Sequence, residues 1–103
     1  MKEKMRRTNF EKFCNDYAIK FLSDPDFRCM SLEERGLYTQ ICFWLNVCIT
    51  VSHRADGIFD ERLMAGKFNL RLRTFRRVFN KIKFKFKIEN HNGIAFISLK
   101  DNL

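Results

Sequence analysis

Residues 60–82 read DERLMAGKFNLRLRTFRRVFNKI, and this stretch decides the fold. Asp60 is a favourable N-cap, which predicts a short helix over residues 61–67. Leu63 and Met64 are expected to face inward from that helix. After a short turn the apolar residues again recur at helical spacing, so two neighbouring short helices predict a helix-turn-helix. The apolar residues of the second helix are Leu72, Phe75, Val78, Phe79 and Ile82.

The apolar period changes directly after this stretch. From Phe84 to Ile88 apolar residues alternate with lysines, which is typical of a strand rather than a helix. An Asn-Gly pair at residues 92–93 and a second apolar segment follow, and this combination predicts a β-hairpin. A hairpin after a helix-turn-helix is a wing, so we expect residues 84–99 to form one.

The first thirty residues predict one helix and a connection. Apolar residues recur at helical spacing over residues 9–22, and Thr8 and Glu11 are placed as a capping box. Pro25 cannot continue that helix, and it disfavours helical geometry in the residue before it. The residues that follow, Phe27, Arg28 and Cys29, are therefore expected to cross to the next element.

Residues 31–51 predict a central buried helix. Ser31 and Glu34 match a capping box, because the hydroxyl and the carboxylate can satisfy free amides at a helix start. The apolar stripe of this helix is wide, and Trp44 is interpreted as a core residue on it. Residues 58–59 are a candidate short strand.

We expect one winged helix-turn-helix domain of the α+β class, mostly helical with a small hairpin. A chain of 103 residues with 46% hydrophobic content is long enough for one continuous core. The expected parts are residues 1–30 as N-terminal helix and connection, 31–51 as central helix, 60–83 as helix-turn-helix and 84–99 as wing hairpin.

The positive charge is concentrated in the second half of the chain. Twenty Lys and Arg against twelve Asp and Glu give a net charge of +8, which favours polyanionic partners. Acidic membranes and acidic proteins fit that charge as well as nucleic acid does. Between Arg62 and Ile88, however, there are ten basic residues and no acidic one. That distribution favours nucleic acid.

The second helix of the helix-turn-helix has the pattern of a recognition helix. At about 100° per residue, its core stripe leaves Arg73, Arg77 and Asn80 on the opposite face. Arg can pair bidentately with guanine and Asn with adenine, while basic neighbours can hold phosphates. Solvent exposure and protection of a strand edge are the ordinary alternatives for such charges. The candidate DNA-binding residues are Arg71, Arg73, Arg76, Arg77, Asn80, Lys81, Lys83, Lys85, Lys87 and, at the wing tip, His91 and Asn92.

No pattern in the sequence predicts catalysis, a cofactor or a metal site. Glycine-rich phosphate loops, nucleophile elbows and metal motifs are missing from the sequence. The acidic residues are assigned to structure, with Glu33 and Glu34 at a helix start and Asp24 and Asp26 in a turn. No run approaches the ~18 apolar residues of a membrane span, so we expect a cytoplasmic protein without membrane contact. Four cysteines are expected to be reduced and mostly buried, namely Cys14, Cys29, Cys42 and Cys48.

Two segments resemble the YdaU-like prophage family. They are FLSDP at residues 21–25 and MSLEERGLY at residues 30–38, followed by a helix-turn-helix over residues 57–79. The similarity covers roughly residues 17–86. It implies the winged-helix N-terminal domain of phage replication or replisome-organiser proteins, with origin binding and recruitment of replication factors in the cytoplasm of a bacterial host. It also implies a close helix approach at Gly36.

The leading hypothesis is a non-enzymatic protein of phage or mobile-element type that binds double-stranded DNA in replication initiation or transcription regulation. The alternative is a small interaction module or inhibitor whose basic face docks on a host or partner protein. Exposure of Phe84 and Phe86 would favour single strands instead, and a homodimer would predict paired half-sites. If about six phosphates are neutralised, affinity falls roughly a thousandfold between low and moderate salt.

Overall fold

The computed structural model describes the backbone of residues 2–101 and the side chains of residues 9–101. The described part is mostly helical with a small antiparallel sheet, which confirms the predicted mixed class. The elements in chain order are α1 (Lys2–Asp16), α2 (Ala18–Ser23), α3 (Pro25–Cys29), α4 (Leu32–Ser52), β1 (Asp56–Ile58), α5 (Glu61–Lys67), α6 (Leu72–Ile82), a 3₁₀ turn (Lys83–Lys85), β2 (Phe86–His91) and β3 (Ile94–Leu99).

The first helix begins earlier than predicted. α1 starts at Lys2, and Thr8 lies inside it, so the predicted start near Asn9 and its capping box are wrong. The charged residues before Asn9 are good helix formers, which explains the extension even though they carry no apolar period. Tyr17 then separates α1 from α2. Helical hydrogen bonding continues through it, since the Tyr17 amide donates to the Phe13 carbonyl at 3.0 Å.

Pro25 ends one helix and begins the next. It is the first residue of α3, where its missing N–H is not needed, and the Asp24 carboxylate caps that helix by accepting a hydrogen bond from the Asp26 amide at 3.0 Å. The predicted connection therefore contains a short helix that the sequence reading did not include. The same proline that breaks a helix in its interior is favourable in its first turn.

Capping residues set the starts of α4 and α5 where the sequence predicts them. Ser31 Oγ accepts from the Glu34 amide, and the Glu34 carboxylate accepts from the Ser31 amide, both at 3.2 Å, which confirms the capping box. Asp60 Oδ1 accepts from the amides of Arg62 and Leu63 at 2.9 and 3.1 Å. Both helix starts thus follow from local chemistry.

The turn between α5 and α6 is compact because Asn69 adopts a left-handed conformation, with φ at 56°. The Leu70 amide bonds to the Ala65 carbonyl at 2.8 Å, and the Asn69 amide bonds to the Gly66 carbonyl at 3.2 Å. This pattern is a Schellman motif, which ends α5 and leaves α6 free to pack across it.

The core lies between α4, α6 and the inner face of the sheet. Ile41, Leu45, Phe75, Ile82 and Ile97 are fully buried there. The predicted apolar stripe of α6 is confirmed, with Phe75, Val78, Phe79 and Ile82 buried and Leu72 at its edge.

One inward prediction on α5 is wrong. Met64 is buried as expected, but Leu63 is 65% exposed. α5 has only seven residues, and Met64 and Ala65 are the two that it buries.

The glycine that allows a close approach is not the one that the resemblance implies. Gly36 is exposed, and a Cβ added to it would meet nothing within 4 Å, so the close approach expected there is wrong. Gly57 in β1 is the glycine that allows a close approach. A Cβ at Gly57 would lie 2.5 Å from the Trp44 ring, which places the indole directly over this strand.

The three strands form an antiparallel sheet in the order β1-β3-β2. Ile97 of β3 pairs with Gly57 of β1 and with Ile88 of β2. Asn92 and Gly93 close the β2–β3 hairpin with φ values of 53° and 82°, as a type I′ turn requires.

The β2–β3 hairpin begins later than predicted. The helical direction of α6 continues through the 3₁₀ turn, so β2 begins at Phe86 rather than Phe84. Tightening to 3₁₀ geometry is common at helix ends, and an alternating sequence gives no sign of it. Phe84 is 49% exposed as a result, whereas Phe86 is buried.

Candidate nucleic-acid interface

The face of α6 opposite the core stripe is exposed, as the sequence predicts. Arg73, Arg77 and Asn80 are exposed on it, and Arg76 and Lys81 are exposed beside them. At about 100° per residue, Arg73 and Asn80 lie between Arg76 and Arg77 around the helix. We refer to these five residues as the α6 face.

Two arginines of the α6 face are paired with carboxylates. The Arg77 guanidinium donates to both oxygens of Glu33, with Nη1 and Nη2 at 3.1 and 3.0 Å. Arg76 Nε donates to Glu61 Oε2 at 3.0 Å. The hydrogen bonds from Arg77 lower the pKa of the Glu33 carboxyl, and those to Glu33 raise the pKa of Arg77. Sequence reasoning did not identify either ion pair, because Glu33 lies 44 residues and Glu61 15 residues before its partner.

Four exposed basic residues at or beside α6 are in none of the ion pairs described for residues 9–101. They begin just before the helix and continue onto the 3₁₀ turn that follows it. They are therefore available to an external anion along the whole length of α6. These free cations are Arg71, Arg73, Lys81 and Lys83.

Lys85 does not belong to this exposed surface. Its side chain is only 12% exposed, and its ammonium donates to Asp24 at 2.6 Å and Asp26 at 3.2 Å. Burial opposes the charged form of Lys85, but the hydrogen bonds to both aspartates outweigh it and raise the pKa. The assignment of Lys85 to phosphate binding is therefore not supported by its position. Asp24 and Asp26, assigned from sequence to a turn, also hold this lysine.

The β2–β3 hairpin, predicted as a wing, carries a local charge network and a structural turn. The Glu89 carboxylate pairs with Lys87, and its second oxygen lies 3.3 Å from His91 Nε2. The hydrogen bond from Lys87 lowers the pKa of Glu89. Asn92 is exposed at the tip, where its positive φ serves the hairpin turn. Besides the partly buried Lys85, the candidate residues of this hairpin are exposed, namely Lys87, His91 and Asn92, but two of these three share one acidic neighbour.

An open groove of about 770 Å³ runs between α4, β1 and α5, on residues that sequence reasoning did not group. Trp44 lines it, with the Lys67 ammonium 5.4 Å from the ring centroid. Trp44 is half-buried and packs on the edge of the core, so its interpretation as a core residue is only partly right. Exposed Ile58 and Leu63 form the apolar rim.

Within residues 9–101, no group of three or more His, Cys, Asp or Glu side chains is placed to hold a metal ion. The four cysteines are free thiols, but only Cys42 is buried, and burial raises its pKa to about 12. Cys29 is exposed, so the expectation of mostly buried thiols is wrong. The described helices include none with the length and apolar content needed to cross a membrane.

Comparison of the chain with protein-family models, with curated proteins and with solved structures found no match. Its function must therefore be inferred from its own residues.

Proposed function

We propose that this chain is a winged helix-turn-helix protein that binds double-stranded DNA through the α6 face. The order of α4, β1, α5, α6, β2 and β3 supports the winged arrangement, because it places a hairpin directly after the second helix of a helix-turn-helix. The observation that carries the proposal is the group of exposed, free basic residues on α6 and at its two ends, with Arg73 opposite the buried stripe.

Arg73 and Asn80 are the proposed base-reading pair. Both are exposed at the centre of the α6 face, and neither is in an ion pair or side-chain hydrogen bond described for residues 9–101. Their fork-shaped donors suit guanine and adenine edges in the major groove. Seven residues of helix separate them by about 10 Å, which matches roughly three base-pair steps of 3.4 Å. We therefore expect a G and an A about three base pairs apart in the target.

Arg71, Lys81 and Lys83 are the proposed phosphate contacts. They lie before, on and after α6, so they can reach backbone on both sides of a base-reading centre. Three such contacts predict that affinity falls roughly fortyfold between about 50 and 200 mM salt. This is a weaker dependence than six contacts would give.

The aromatic residues support duplex over single-stranded DNA. Single-strand binders stack bases on exposed aromatic side chains. Phe86 is buried in the core, and Phe84 is the one aromatic among the large exposed apolar side chains of the described residues. One exposed ring is a poor stacking platform for several bases.

Because residues 17–86 resemble the YdaU-like prophage family, we propose that the protein acts without catalysis in replication initiation or transcription regulation in a bacterial host.

A second candidate function is docking of the basic residues on an acidic protein. The pairs that Arg76 and Arg77 form with carboxylates favour this candidate, because the same guanidinium groups would suit an acidic partner surface. Recovery of a stoichiometric protein partner from nuclease-treated extract would favour it over DNA binding.

The DNA proposal is tested by fluorescence anisotropy with a duplex selected from a random pool. Arg73→Ala removes one bidentate base contact, so we expect affinity for the selected duplex to fall about tenfold or more. Arg28→Ala on α3 is the matched control, since Arg28 is exposed and in none of the described ion pairs. It should change affinity by less than about twofold. Absence of wild-type duplex binding at low salt would contradict the proposal.

A further inference from the structure

The two helices directly before α6, α4 and α5, each have two acidic residues at their start, but only one of each pair caps the helix. In α4 the capping box is completed by Glu34, whereas the Glu33 carboxylate bonds to Arg77. In α5 the cap is Asp60, whereas the Glu61 carboxylate bonds to Arg76. Glu33 and Glu61 are thus not needed as caps.

The two pairs approach the α6 face from different helices. Arg76 and Arg77 lie on either side of Arg73 and Asn80 around α6, and each is held by an acid from a neighbouring helix. All four paired side chains are at least 41% exposed, so an external anion can reach them. The centre of the face is left free while its two flanks are neutralised.

We propose that Glu33 and Glu61 compete with DNA phosphates for Arg77 and Arg76. This competition lowers the sequence-independent affinity for DNA. The inference rests on the proposed DNA-binding function of the same face. Sequence-independent affinity comes essentially from phosphate contacts, whereas base contacts carry the discrimination. Pairing two arginines with carboxylates lowers the sequence-independent affinity. It leaves Arg73 and Asn80 unchanged, and these two residues supply the discrimination between sequences.

The Glu33 pair is the stronger of the two competitors. Its carboxylate takes both Nη groups of Arg77, so a phosphate oxygen must displace it before it can use the same end of the guanidinium. Glu61 takes only the Nε of Arg76 and leaves the remaining donors free. We therefore expect a larger effect from removing the charge of Glu33 than from removing that of Glu61.

The test uses Glu33→Gln and Glu61→Gln, with Glu11→Gln as the matched control. Glu11 is exposed on α1 and in none of the described ion pairs, so its variant gains the same net charge away from α6. Affinity for a mixed-sequence duplex is measured by anisotropy from low to moderate salt. Glu33→Gln should raise it roughly threefold to fivefold near 100 mM salt and steepen the salt slope by up to about 0.9, whereas Glu61→Gln should raise it only about twofold to threefold. Glu11→Gln should change it by less than about twofold.

A double-variant experiment separates competition from a general change in charge or fold. In an Arg77→Ala background, Glu33→Gln should give no more than the Glu11→Gln effect, because the arginine that it would release is missing. Thermal melting of each variant checks that the fold is kept. Affinity for the selected duplex should rise by about the same factor in Glu33→Gln, so the preference for it over the mixed-sequence duplex should stay unchanged, since added phosphate contacts are open to every sequence.

The outcomes distinguish this inference from the function on which it rests. If wild-type protein binds duplex DNA but Glu33→Gln and Glu61→Gln behave like Glu11→Gln, competition is overturned and DNA binding stands. A gain from Glu33→Gln that persists without Arg77 overturns it as well. If wild-type protein binds no duplex at any salt concentration, the DNA-binding function itself fails.

Discussion

Lys83 and Lys85 lie two residues apart on one 3₁₀ turn, yet their side chains have opposite surroundings. Lys83 is exposed and in none of the described ion pairs, whereas the Lys85 ammonium lies between Asp24 and Asp26 and only 12% of its side chain is exposed. Sequence patterning treats the two lysines alike, because it sees only their alternation with phenylalanines. The acids that distinguish them are about sixty residues away in the chain.

This difference predicts opposite effects of removing the two charges. Lys83→Met should reduce the salt slope of DNA binding by about 0.9 and leave the free energy of unfolding within about 0.5 kcal/mol of wild type. Lys85→Met should lower the free energy of unfolding by about 1–3 kcal/mol, since it leaves two aspartates without their partner. Urea unfolding and salt-dependent anisotropy measure the two quantities. A change of salt slope in Lys85→Met would show that this lysine does contact DNA.

At the scale of elements, sequence alone predicts the starts of α4 and α5 and the stripe of α6. These follow from Ser31 and Asp60 as caps and from helical spacing of apolar residues, all of which act within one or two turns of helix. α3 is missed because a proline after an aspartate can end one helix or begin the next. The 3₁₀ turn is missed because alternation of phenylalanine with lysine predicts a strand and gives no sign that the helical direction continues to Lys85.

The docking of β1 on α4 is set by Gly57 and predicts a contrast between two glycines. Gly57→Ala should destabilise the protein by about 1–3 kcal/mol, because the added methyl group overlaps the Trp44 ring. Gly36→Ala should stabilise it by about 0.5–1 kcal/mol, since Gly36 is exposed in α4 with free space around it.

Thermal or urea unfolding of the two variants checks this contrast. Replacing Trp44 by leucine in the Gly57→Ala background should reduce the additional cost of the alanine, because the clash is with the indole. Equal effects of alanine at both glycines would contradict the close packing of β1 on α4.

For the molecule as a whole, the exposed α6 face is predictable, but its charge is not. Periodicity within α6 tells which side is buried, so the exposure of Arg73, Arg77 and Asn80 follows from sequence. The segment from residue 62 to 88 has no acid, which predicts a surface of one sign. Tertiary packing brings Glu33 and Glu61 against it from α4 and α5, and no local pattern indicates those neighbours.

The folded protein therefore has fewer free cations for DNA than its sequence suggests. Arg76, Arg77 and Lys87 have acidic partners, and Lys85 is partly buried between two. The net charge of +8 still draws a polyanion toward the molecule at long range. In the proposed complex, phosphate contact is expected mainly at the free cations around α6.

The most direct test of the DNA-binding surface is a map of backbone and side-chain amide chemical shifts in NMR spectra during titration with a selected duplex. We predict that the largest changes fall on residues 71–83, including the side-chain amide of Asn80, with smaller changes at the wing tip. The exposed C-terminal turns of α4 serve as the internal reference and should change little. Changes centred on the groove beside Trp44, or absence of change along α6 at saturating duplex, would contradict the account.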